Sequence, residues 1–368
     1  MYRVLDFTRV LAGPWASQVL GDQGFDVVKV EPPGGDETRS FLPIRDGESV
    51  YFACTNRNKR SIVLDLKTAE GVALARRLAA TADVVLENFR PGVMDRLGLG
   101  DDVLRADHPG LVYVSVSAFG ASPGWADRAG YDLVVQSVGG IAALTGDPPR
   151  KAGPSIADLA SAQVAVQAVL FALLERGRTG LGKRVDIRMI DVAHHLLAFY
   201  ASAWLNAGQL PPPPSNRHPS IAPYNLYRCA DGWLAVCCAN DALWEKLRGV
   251  LALPADPAWA TIRGRVADRD RLDAAIEAVL GTDTTVAWEA RLAAAGVPCG
   301  PALSVPDSLD HPLAARIQAG PWTFPAPPLP ARRLSPPPRL GEHTDAVLGE
   351  MGLSPGEIAE LRERGVIA

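Results

Sequence analysis

Asp158 has surroundings that are unusual for a charged side chain. It lies in the segment Pro154-Ser-Ile-Ala-Asp-Leu-Ala-Ser-Ala162, and the nearest cations on either side are Lys151 and Arg176. The long apolar stretch that follows predicts a helix, whose N-terminus favours an ionised carboxylate, while apolar neighbours raise nucleophilicity by removing water. These features make Asp158 a candidate nucleophile, while the same pattern also fits an ordinary helix cap.

Cations and a glycine-rich turn follow several predicted strands. The segment 31–39 reads Glu-Pro-Pro-Gly-Gly-Asp-Glu-Thr-Arg, and 56–60 adds three cations. Lys67, the Asn-Phe-Arg-Pro-Gly turn at 88–92 and Arg96 extend the series. Backbone N–H groups in such loops approach anions closely, and arginine binds phosphate with two donors. Each cation alone is typical of a solvated surface, but together they favour a polyanionic small ligand at the strand ends, where open α/β sheets bind ligands.

The other reactive side chains do not form a known catalytic set. The five cysteines are scattered without a CxxC spacing, the histidines are isolated or adjacent, and the sequence has no GxSxG turn and no GxGxxG loop after a strand. The segment 177–184 resembles a phosphate-binding loop, but it lies between a predicted helix and strand and has Arg184 where that loop carries Ser or Thr. The sequence therefore predicts chemistry without a metal, a nicotinamide or a flavin.

Short apolar runs alternate with amphipathic runs in the first half of the chain. This alternation, with near-continuous apolar strands, is typical of a parallel sheet covered by helices on both faces. We predict an α/β doubly wound domain with strands at 4–7, 27–31, 61–66, 83–87, 111–117 and 184–189, and helices at 14–23, 68–80, 159–176 (ending at Gly177) and 191–207.

The composition changes after residue 210. Four consecutive prolines at 211–214 predict a stiff connector, and a smaller α+β domain is expected beyond it, at about 216–305. Its turn is Asp231-Gly232. Its predicted elements are a hairpin at 227–238 and helices at 241–253, 268–280 and 285–295.

The last part of the chain, 306–368, begins as an extended segment. Residues 321–338 contain eight prolines, and so long a strap suggests that the chain wraps around another domain or subunit. Two helices are predicted beyond it, at 344–351 and 354–364. The second of these starts with the capping-box sequence Ser354-Pro-Gly-Glu357.

Charge and hydropathy exclude several partners. The net charge of −4 on 368 residues gives no overall basic field that would attract nucleic acid. The N-terminal residues lack the apolar core of a signal peptide, and the longest uncharged stretch, 192–216, is interrupted by histidine, asparagine and proline. We therefore expect a cytoplasmic protein that binds neither nucleic acid nor membrane.

The ordered series of motifs resembles the family III CoA-transferases, which include the α-methylacyl-CoA racemases. The resemblance covers nearly the whole chain, and although each motif is weak alone, the ordered set is specific. The matching segments are Leu5-Asp-Phe, Ala12-Gly-Pro, Val28-Lys-Val-Glu-Pro-Pro-Gly-Gly-Asp36, Asn56-Arg-Asn-Lys-Arg-Ser61, Leu64-Asp-Leu-Lys67, Glu87-Asn-Phe-Arg-Pro-Gly92, Asp95-Arg-Leu-Gly98, Gly130-Tyr-Asp132, Asp158, His218-Pro-Ser-Ile-Ala-Pro-Tyr224, Gly296-Val-Pro298 and Gly341-Glu-His-Thr344.

This resemblance implies a Rossmann-like large domain (1–210) and a small domain (216–305), joined by long linkers in an interlocked homodimer. It implies that segment 306–368 returns to the large domain. The substrates would be acyl-CoA and a small carboxylic acid, with Asp158 passing through an acyl-aspartyl anhydride and an aspartyl-CoA thioester. The residues at the family's CoA-binding positions are Leu11, Ala12, Arg39, Leu64, Asp65, Leu66, Lys67, Asn88, Phe89, Arg90, Arg96, Ala129, Gly130, Tyr131 and Asp132.

Two departures from the family pattern bear on the reaction. Tyr131 stands where the racemases carry the histidine that partners their aspartate, so two-base proton exchange loses one base. Leu11 replaces a glutamine of the formyl-CoA:oxalate transferases, and 215–220 replaces their glycine run, which favours a larger or less polar acid than oxalate. Two alternatives to a transferase remain: an acyl-CoA racemase or epimerase using Asp158, and a catalytically silent acyl-CoA-binding protein.

Overall fold

The computed structural model describes residues 1–210 and 216–368. The chain divides into two compact units. The proline connector predicted at 211–214 lies outside the described residues. The first unit comprises Met1–Ala143, Pro148–Ala201 and Ala315–Ala368, and the second comprises Leu144–Asp147 and Ser202–Ala314.

The secondary structure is numbered in chain order. The strands are β1 (Arg3–Asp6), β2 (Asp26–Glu31), β3 (Ile44–Arg45), β4 (Glu48–Ser49), β5 (Lys59–Val63), β6 (Val84–Glu87), β7 (Val112–Ser117), β8 (Arg184–Arg188), β9 (Tyr224–Arg228), β10 (Trp233–Cys237), β11 (Cys299–Pro301), β12 (Arg316–Ala319) and β13 (Trp322–Pro325).

The helices follow the same order, with short 3-10 turns at Glu37–Ser40 and Pro257–Trp259. They are α1 (Ala12–Asp22), α2 (Val50–Asn56), α3 (Ala69–Ala79), α4 (Val93–Arg96), α5 (Asp101–Asp107), α6 (Asp132–Val138), α7 (Ile141–Thr145), α8 (Ile156–Thr179), α9 (Met189–Leu196), α10 (Phe199–Ala207), α11 (Asp241–Val250), α12 (Ile262–Ala267), α13 (Arg269–Leu280), α14 (Thr285–Ala294), α15 (Val305–Asp310), α16 (Thr344–Glu350) and α17 (Pro355–Glu363).

A six-stranded parallel sheet organises the first unit, in the order β5-β2-β1-β6-β7-β8. Val4 of β1 lies opposite Val27 of β2 on one side and Val84 of β6 on the other. The chain winds outward from β1 in one direction and then, from β6, in the other. This confirms the predicted parallel α/β sheet and places its topological switch point between β1 and β6.

Apolar side chains of the central strands alternate between two cores, one on each face of the sheet. Leu5, Val28 and Val85 belong to the core that α3, α16 and α17 cover. Val4 and Val27 belong to the opposite core, which α1, α8 and α9 cover. Strands buried on both faces have nearly continuous apolar sequences, and for this reason their positions could be predicted from the sequence.

The long helix α8 is the helix, within residues 1–210 and 216–368, that is long and apolar enough to cross a membrane by length and composition. Core helices share that composition, and α8 buries Ala165, Val169 and Ala172 in the second core. Its predicted end at Gly177 is wrong, because the helix continues through that residue and stops at Gly180, whose φ of 74° is the left-handed conformation that ends helices.

The helix predicted at 191–207 is two helices, α9 and α10. Ala198, with a φ of 43°, interrupts the helical backbone between them. The strand predicted at 61–66 is shifted, because β5 ends at Val63. The segment Leu64–Lys67 therefore begins the connection to α3 at the carboxyl edge of the sheet.

The C-terminal segment Ala315–Ala368 is part of the first unit and is bound to its earlier residues by hydrogen bonds. The Arg332 N–H donates to the Asp22 carbonyl (2.7 Å), and the Ser335 N–H donates to Asn58 Oδ1 (2.6 Å). Near the end of the chain, the Val366 carbonyl accepts a hydrogen bond from Asp65 N–H (2.8 Å). The hairpin β12–β13 was not predicted, and its second strand lies at the start of the proline-rich segment 321–338.

The second unit contains the antiparallel sheet β11-β10-β9 and the helices α11 to α14. The hairpin β9–β10 closes with the Cys229 N–H bound to the Gly232 carbonyl (2.9 Å), as the Asp231-Gly232 turn predicts. The core of the second unit contains three tryptophans, and the buried Arg265 donates to two backbone carbonyls and to Asp241.

Candidate active site

A cleft of about 230 Å³ opens at the carboxyl ends of β1, β6 and β7, beside the switch point of the sheet. Loops that follow these three strands form most of its wall, and α8 contributes Asp158. Parallel α/β sheets bind ligands at this position. The lining residues are Arg9, Val10, Leu11, Ala12, Glu37, Asn88, Phe89, Arg90, Pro91, Val116, Ser117, Ala118, Phe119, Gly120, Ala126, Arg128, Ala129, Gly130, Tyr131, Asp158 and Met189.

Asp158 is the third residue of α8 and is largely shielded from solvent. Burial raises the pKa of its carboxyl to about 7, with the negative charge of Asp132 adding to the rise and the Lys151 ammonium opposing it. Among the residues that the structure describes, no donor binds the Asp158 carboxylate. A carboxylate with a pKa near neutrality is ionised in a large fraction of molecules and is a better nucleophile than an ordinary aspartate.

Asp132 is the first residue of α6 and is buried. Its Oδ1 accepts a hydrogen bond from the Ala157 N–H (3.0 Å) and a longer one from the Asp158 N–H (3.4 Å). Its Oδ2 accepts from Gln136 Nε2 (2.7 Å), and Lys151 Nζ lies 4.0 Å away. The first turn of α8 is therefore held by a side chain from another helix.

The loop after β1 is fixed from below by a buried ion pair. Lys29 Nζ donates to Asp36 Oδ2 (2.9 Å) and to the carbonyl of Thr8 (2.7 Å), and both charged side chains are fully buried. Burial acts to raise the pKa of Asp36, but the Lys29 charge and the Thr38 hydrogen bonds outweigh it and lower that pKa to about 2. This pair holds the start of a loop in which Val10 has a φ of 68°.

The loop after β6 is held by Glu87, whose Oε2 accepts the Phe89 N–H (2.8 Å). Burial raises the pKa of Glu87 to about 7, against the hydrogen bonds from Ser115 and Phe89. The loop thus presents Asn88, Phe89 and Arg90 to the cleft.

Three guanidinium groups reach the cleft, from Arg9, Arg90 and Arg128. Arg9 lies over the Phe89 ring (4.9 Å), and Arg128 lies over the Trp125 ring (4.1 Å). Within residues 1–210 and 216–368 none of the three has a carboxylate within ion-pair distance. The cleft therefore offers unpaired positive charge to an anionic ligand.

The structure brings eight predicted binding residues to the same cleft as Asp158. These are Leu11, Ala12, Asn88, Phe89, Arg90, Ala129, Gly130 and Tyr131.

The remaining predicted residues lie elsewhere. Arg39 is paired with Glu31 (2.7 Å) and also donates to the Pro338 carbonyl (3.3 Å), so it joins the loop after β2 to the C-terminal strap. Leu64 is fully buried in a core, while Asp65, Leu66 and Lys67 lie in the connection after β5, and Arg96 is exposed at the end of α4. None of these residues, nor Asp132, lines the described cleft.

Sequence reasoning missed several residues at this site. Arg9, Arg128 and Met189 line the cleft although no motif singled them out. Tyr51 is near enough to Asp158 that burial, together with the charge of that aspartate, raises the Tyr51 pKa to about 12. The signal that could have found Arg128 is its position directly before the predicted segment Ala129 to Asp132.

The part of the chain that the structure describes contains no group of three or more His, Cys, Asp or Glu side chains able to hold a metal ion. The first unit thus has a parallel α/β sheet with a cleft at its switch point. A largely shielded carboxylate and unpaired guanidinium groups line this cleft, as expected of an α/β enzyme that acts on an anionic ligand.

Comparison with known proteins agrees with this class. Residues 2–344 match the model of CoA-transferase family III, and the chain belongs to that family. The succinate–glutarate CoA-transferase of Agrobacterium fabrum is 39% identical over 382 residues, covering 95% of this chain and 94% of the relative. The acetyl-CoA:oxalate CoA-transferase of Acetobacter aceti is 38% identical over 320 residues, covering 85% and 82%.

A solved structure supports the fold in the same way. The crystal structure of a CaiB/BaiF family protein from Brucella suis superposes with a TM-score of 0.85 at 38% identity, covering 95% of this chain and 98% of that one. The expected family is therefore confirmed.

Proposed function

We propose that this chain is a CoA-transferase that moves CoA from an acyl-CoA donor to a carboxylic acid, with Asp158 as nucleophile. One observation carries the proposal: a shielded carboxylate with a pKa of about 7 and no bound donor faces the cleft at the switch point. A nucleophilic carboxylate splits one difficult exchange into easier covalent steps.

The exchange runs in four steps. The Asp158 carboxylate attacks the donor thioester carbonyl, and CoA thiolate leaves to give an acyl-aspartyl anhydride. The thiolate then attacks the aspartyl carbonyl, which releases the donor acid and leaves an aspartyl-CoA thioester. The acceptor carboxylate attacks that thioester and expels thiolate, and the thiolate finally attacks the acceptor carbonyl of the new anhydride. The product is the acceptor's CoA ester, and Asp158 is regenerated.

The cleft residues supply positions for CoA. The proposed contacts are those of Leu11, Ala12, Asn88 to Arg90 and Ala129 to Tyr131, which share the cleft with Asp158. The unpaired guanidinium groups of Arg9, Arg90 and Arg128 match the negative charge of the CoA phosphates or of a substrate carboxylate. Arg39, Leu64 to Lys67, Arg96 and Asp132 lie off this cleft, so a role for them in CoA binding has only the family resemblance behind it.

The acceptor class follows from relatives and from the cleft wall. The two relatives named above carry succinate, glutarate and oxalate in their names, and all three are dicarboxylic acids. Leu11 lines the cleft here, and an apolar side chain at this point suits a methylene chain better than a compact oxalate. We therefore propose a dicarboxylic acid of the succinate and glutarate type as substrate.

A direct exchange assay tests this function. The protein is incubated with succinyl-CoA and glutarate, and glutaryl-CoA is measured by chromatography, with oxalate and acetate as competing acceptors. Wild type should form the new thioester, whereas Asp158→Asn should form none and still bind CoA in calorimetry. Full activity of that variant would overturn the role of Asp158. Deuterium at the α-carbon of an acyl-CoA, without transfer, would instead indicate racemase chemistry.

A cytoplasmic homodimer is also proposed. Exposed apolar side chains on one face of α8, Leu170, Phe171 and Leu174, support association, because monomers seldom expose such a cluster. The interlocked arrangement and the cytoplasmic location follow from the family resemblance and from the composition.

A further inference from the structure

The N-terminus of α8 is capped by a residue from outside the helix. Ser155, at the N-cap position, makes no side-chain hydrogen bond to the first turn. Asp132 instead accepts the Ala157 N–H (3.0 Å) and, more weakly, the Asp158 N–H (3.4 Å). First-turn N–H groups have no partners within a helix, so a cap of this kind satisfies donors that would otherwise be unpaired.

This arrangement deprives Asp158 of a stabilisation that its position normally brings. An acidic side chain in the first turn gains from the free N–H groups and the positive end of the helix dipole. Here the first-turn N–H groups face the Asp132 carboxylate, which is itself bound by Gln136 (2.7 Å). In residues 1–210 and 216–368 no donor binds the Asp158 carboxylate, and a second negative charge lies beside it.

We propose that Asp132 is a positioning residue and does not contact CoA. Because Asp132 occupies the first-turn N–H groups of α8, these groups do not stabilise the ionised Asp158 carboxylate. The inference rests on the proposed role of Asp158. The mixed anhydride removes the negative charge from Asp158, so repulsion from Asp132 destabilises the free carboxylate but not the acylated form. A ground state destabilised in this way raises the driving force for attack on the thioester.

Lys151 lowers the pKa of Asp158, whereas Asp132 raises it, so removing Lys151 should shift this pKa in the opposite direction to removing the Asp132 charge. Its Nζ lies 4.0 Å from Asp132 Oδ2 and donates to the carbonyls of Ala152 and Gly153. Burial is the largest cause of the raised Asp158 pKa, Asp132 adds to it and Lys151 lowers it. The charge of Asp158 also acts on the Tyr51 hydroxyl, and the other ionisable side chains that line the cleft with Asp158 are those of Glu37, Arg9, Arg90, Arg128 and Tyr131.

Two variants with opposite expected effects on the protonation midpoint of Asp158 test the proposal, and the measurement does not depend on catalytic turnover. Asp132→Asn removes the charge but keeps an oxygen that can accept the Ala157 N–H, and Lys151→Met removes the opposing cation. Carbodiimide-driven coupling of glycine ethyl ester, quantified at Asp158 by peptide mass spectrometry across pH, reports the protonation midpoint of that carboxyl. The midpoint should fall by about one pH unit in Asp132→Asn and rise in Lys151→Met. Asp102→Asn, on the exposed face of α5, should leave it unchanged.

The outcomes distinguish an electrostatic effect of Asp132 on the Asp158 carboxylate from a purely structural role of Asp132. An unchanged midpoint in a folded Asp132→Asn protein with a lowered melting temperature would show a simple helix cap and overturn the proposal. An unchanged midpoint with weaker CoA binding would show a CoA contact and overturn it as well. If Asp132→Asn does not fold, Lys151→Met decides alone, and a midpoint that does not rise contradicts the account. Shifted midpoints in a protein that transfers no CoA would leave the electrostatics standing and reject the proposed function.

Discussion

Asn88 binds both backbone polar groups of Arg9. Its Oδ1 accepts the Arg9 N–H (2.8 Å), and its Nδ2 donates to the Arg9 carbonyl (2.7 Å). The pair joins the loop after β6 to the loop after β1, directly across the switch point of the sheet. The amide of Asn88 therefore joins two walls of the cleft through both of its polar atoms.

Removing this bridge should loosen the site more than the fold. We expect Asn88→Ala to lower the free energy of unfolding by about 1–2 kcal/mol, the usual value of two partly exposed hydrogen bonds. The KM for acyl-CoA should rise several-fold, with a smaller change in kcat. Urea denaturation and steady-state kinetics measure both effects. Asn206→Ala, which removes an exposed amide within α10, is the control, and an unchanged KM in Asn88→Ala would contradict the bridging role.

The ionised Asp158 carboxylate should lower the free energy of unfolding above neutral pH. The Asp158 pKa lies at about 7 in the folded state against an ordinary value of 3.8, so folding disfavours the ionised form. The penalty is absent below pH 3.8, where both states are protonated, grows as pH rises to 7, and is complete above it. Asp158→Asn should therefore be inactive yet more stable than wild type at pH 8, with the difference shrinking towards pH 4. Equal stability of the two proteins at pH 8 would contradict this.

The buried pair of Lys29 and Asp36 should be needed for folding. Lys29→Met leaves Asp36 as an unpaired buried charge, which costs about 3–5 kcal/mol. The double variant Lys29→Met/Asp36→Asn should lose less than the sum of the single variants in urea denaturation. Arg76→Met, which removes an exposed pair with Asp107, should cost less than about 1 kcal/mol. Additive losses in the double variant would show that the pair is not coupled.

The pair of Lys29 and Asp36 also makes the stability of the protein depend on pH in acid. The Asp36 pKa is lowered to about 2, so its ionised form is favoured by folding. Its contribution to stability is fully present above pH 3.8, the ordinary pKa of an aspartate, and is lost as pH falls through about 2. Asp36→Asn should flatten the acid limb of a plot of unfolding free energy against pH. An unchanged limb would mean that other carboxyls control acid denaturation.

The exposed apolar face of α8 should control assembly. Wild type is expected to have twice the 39.1 kDa mass of the chain by light scattering. Phe171→Glu places a charge among Leu170 and Leu174 and should reduce the dimer fraction or the soluble yield. Val286→Glu, at an exposed position on α14, should behave as wild type. A wild-type monomer would contradict the proposed homodimer.

Much of the large domain was predictable because its strands carry their own signal. β1, β2, β6 and β7 are buried on both faces and read as short apolar runs bounded by polar turns. Local chemistry also predicted the start of α17, where the capping box of Ser354 and Glu357 is present. Signals of this kind depend only on neighbours along the chain.

The failures arise where contacts between distant segments decide the structure. Gly177 looked like the end of α8, but only a glycine with a positive φ ends a helix in this way, and Gly180 is the one that adopts it. No periodicity reveals that Ala198 breaks a helix. The apolar surroundings of Asp158 made it a candidate nucleophile, a role that stays a prediction, whereas the capping of its helix by Asp132 joins residues 26 positions apart. The pairing of Arg39 with Glu31 was likewise not evident from the glycine turn between them, and a role of Arg39 in CoA binding stays a prediction.

Borohydride trapping tests the covalent role of Asp158 most directly. The protein is incubated with succinyl-CoA, treated with borohydride, digested and analysed by peptide mass spectrometry. An aspartyl-CoA thioester is reduced to an alcohol, so we predict a mass loss that maps to Asp158 in wild type and is absent in Asp158→Asn. Sustained transfer of CoA to glutarate, with Asp158 unmodified after trapping at every stage of turnover, would contradict the account.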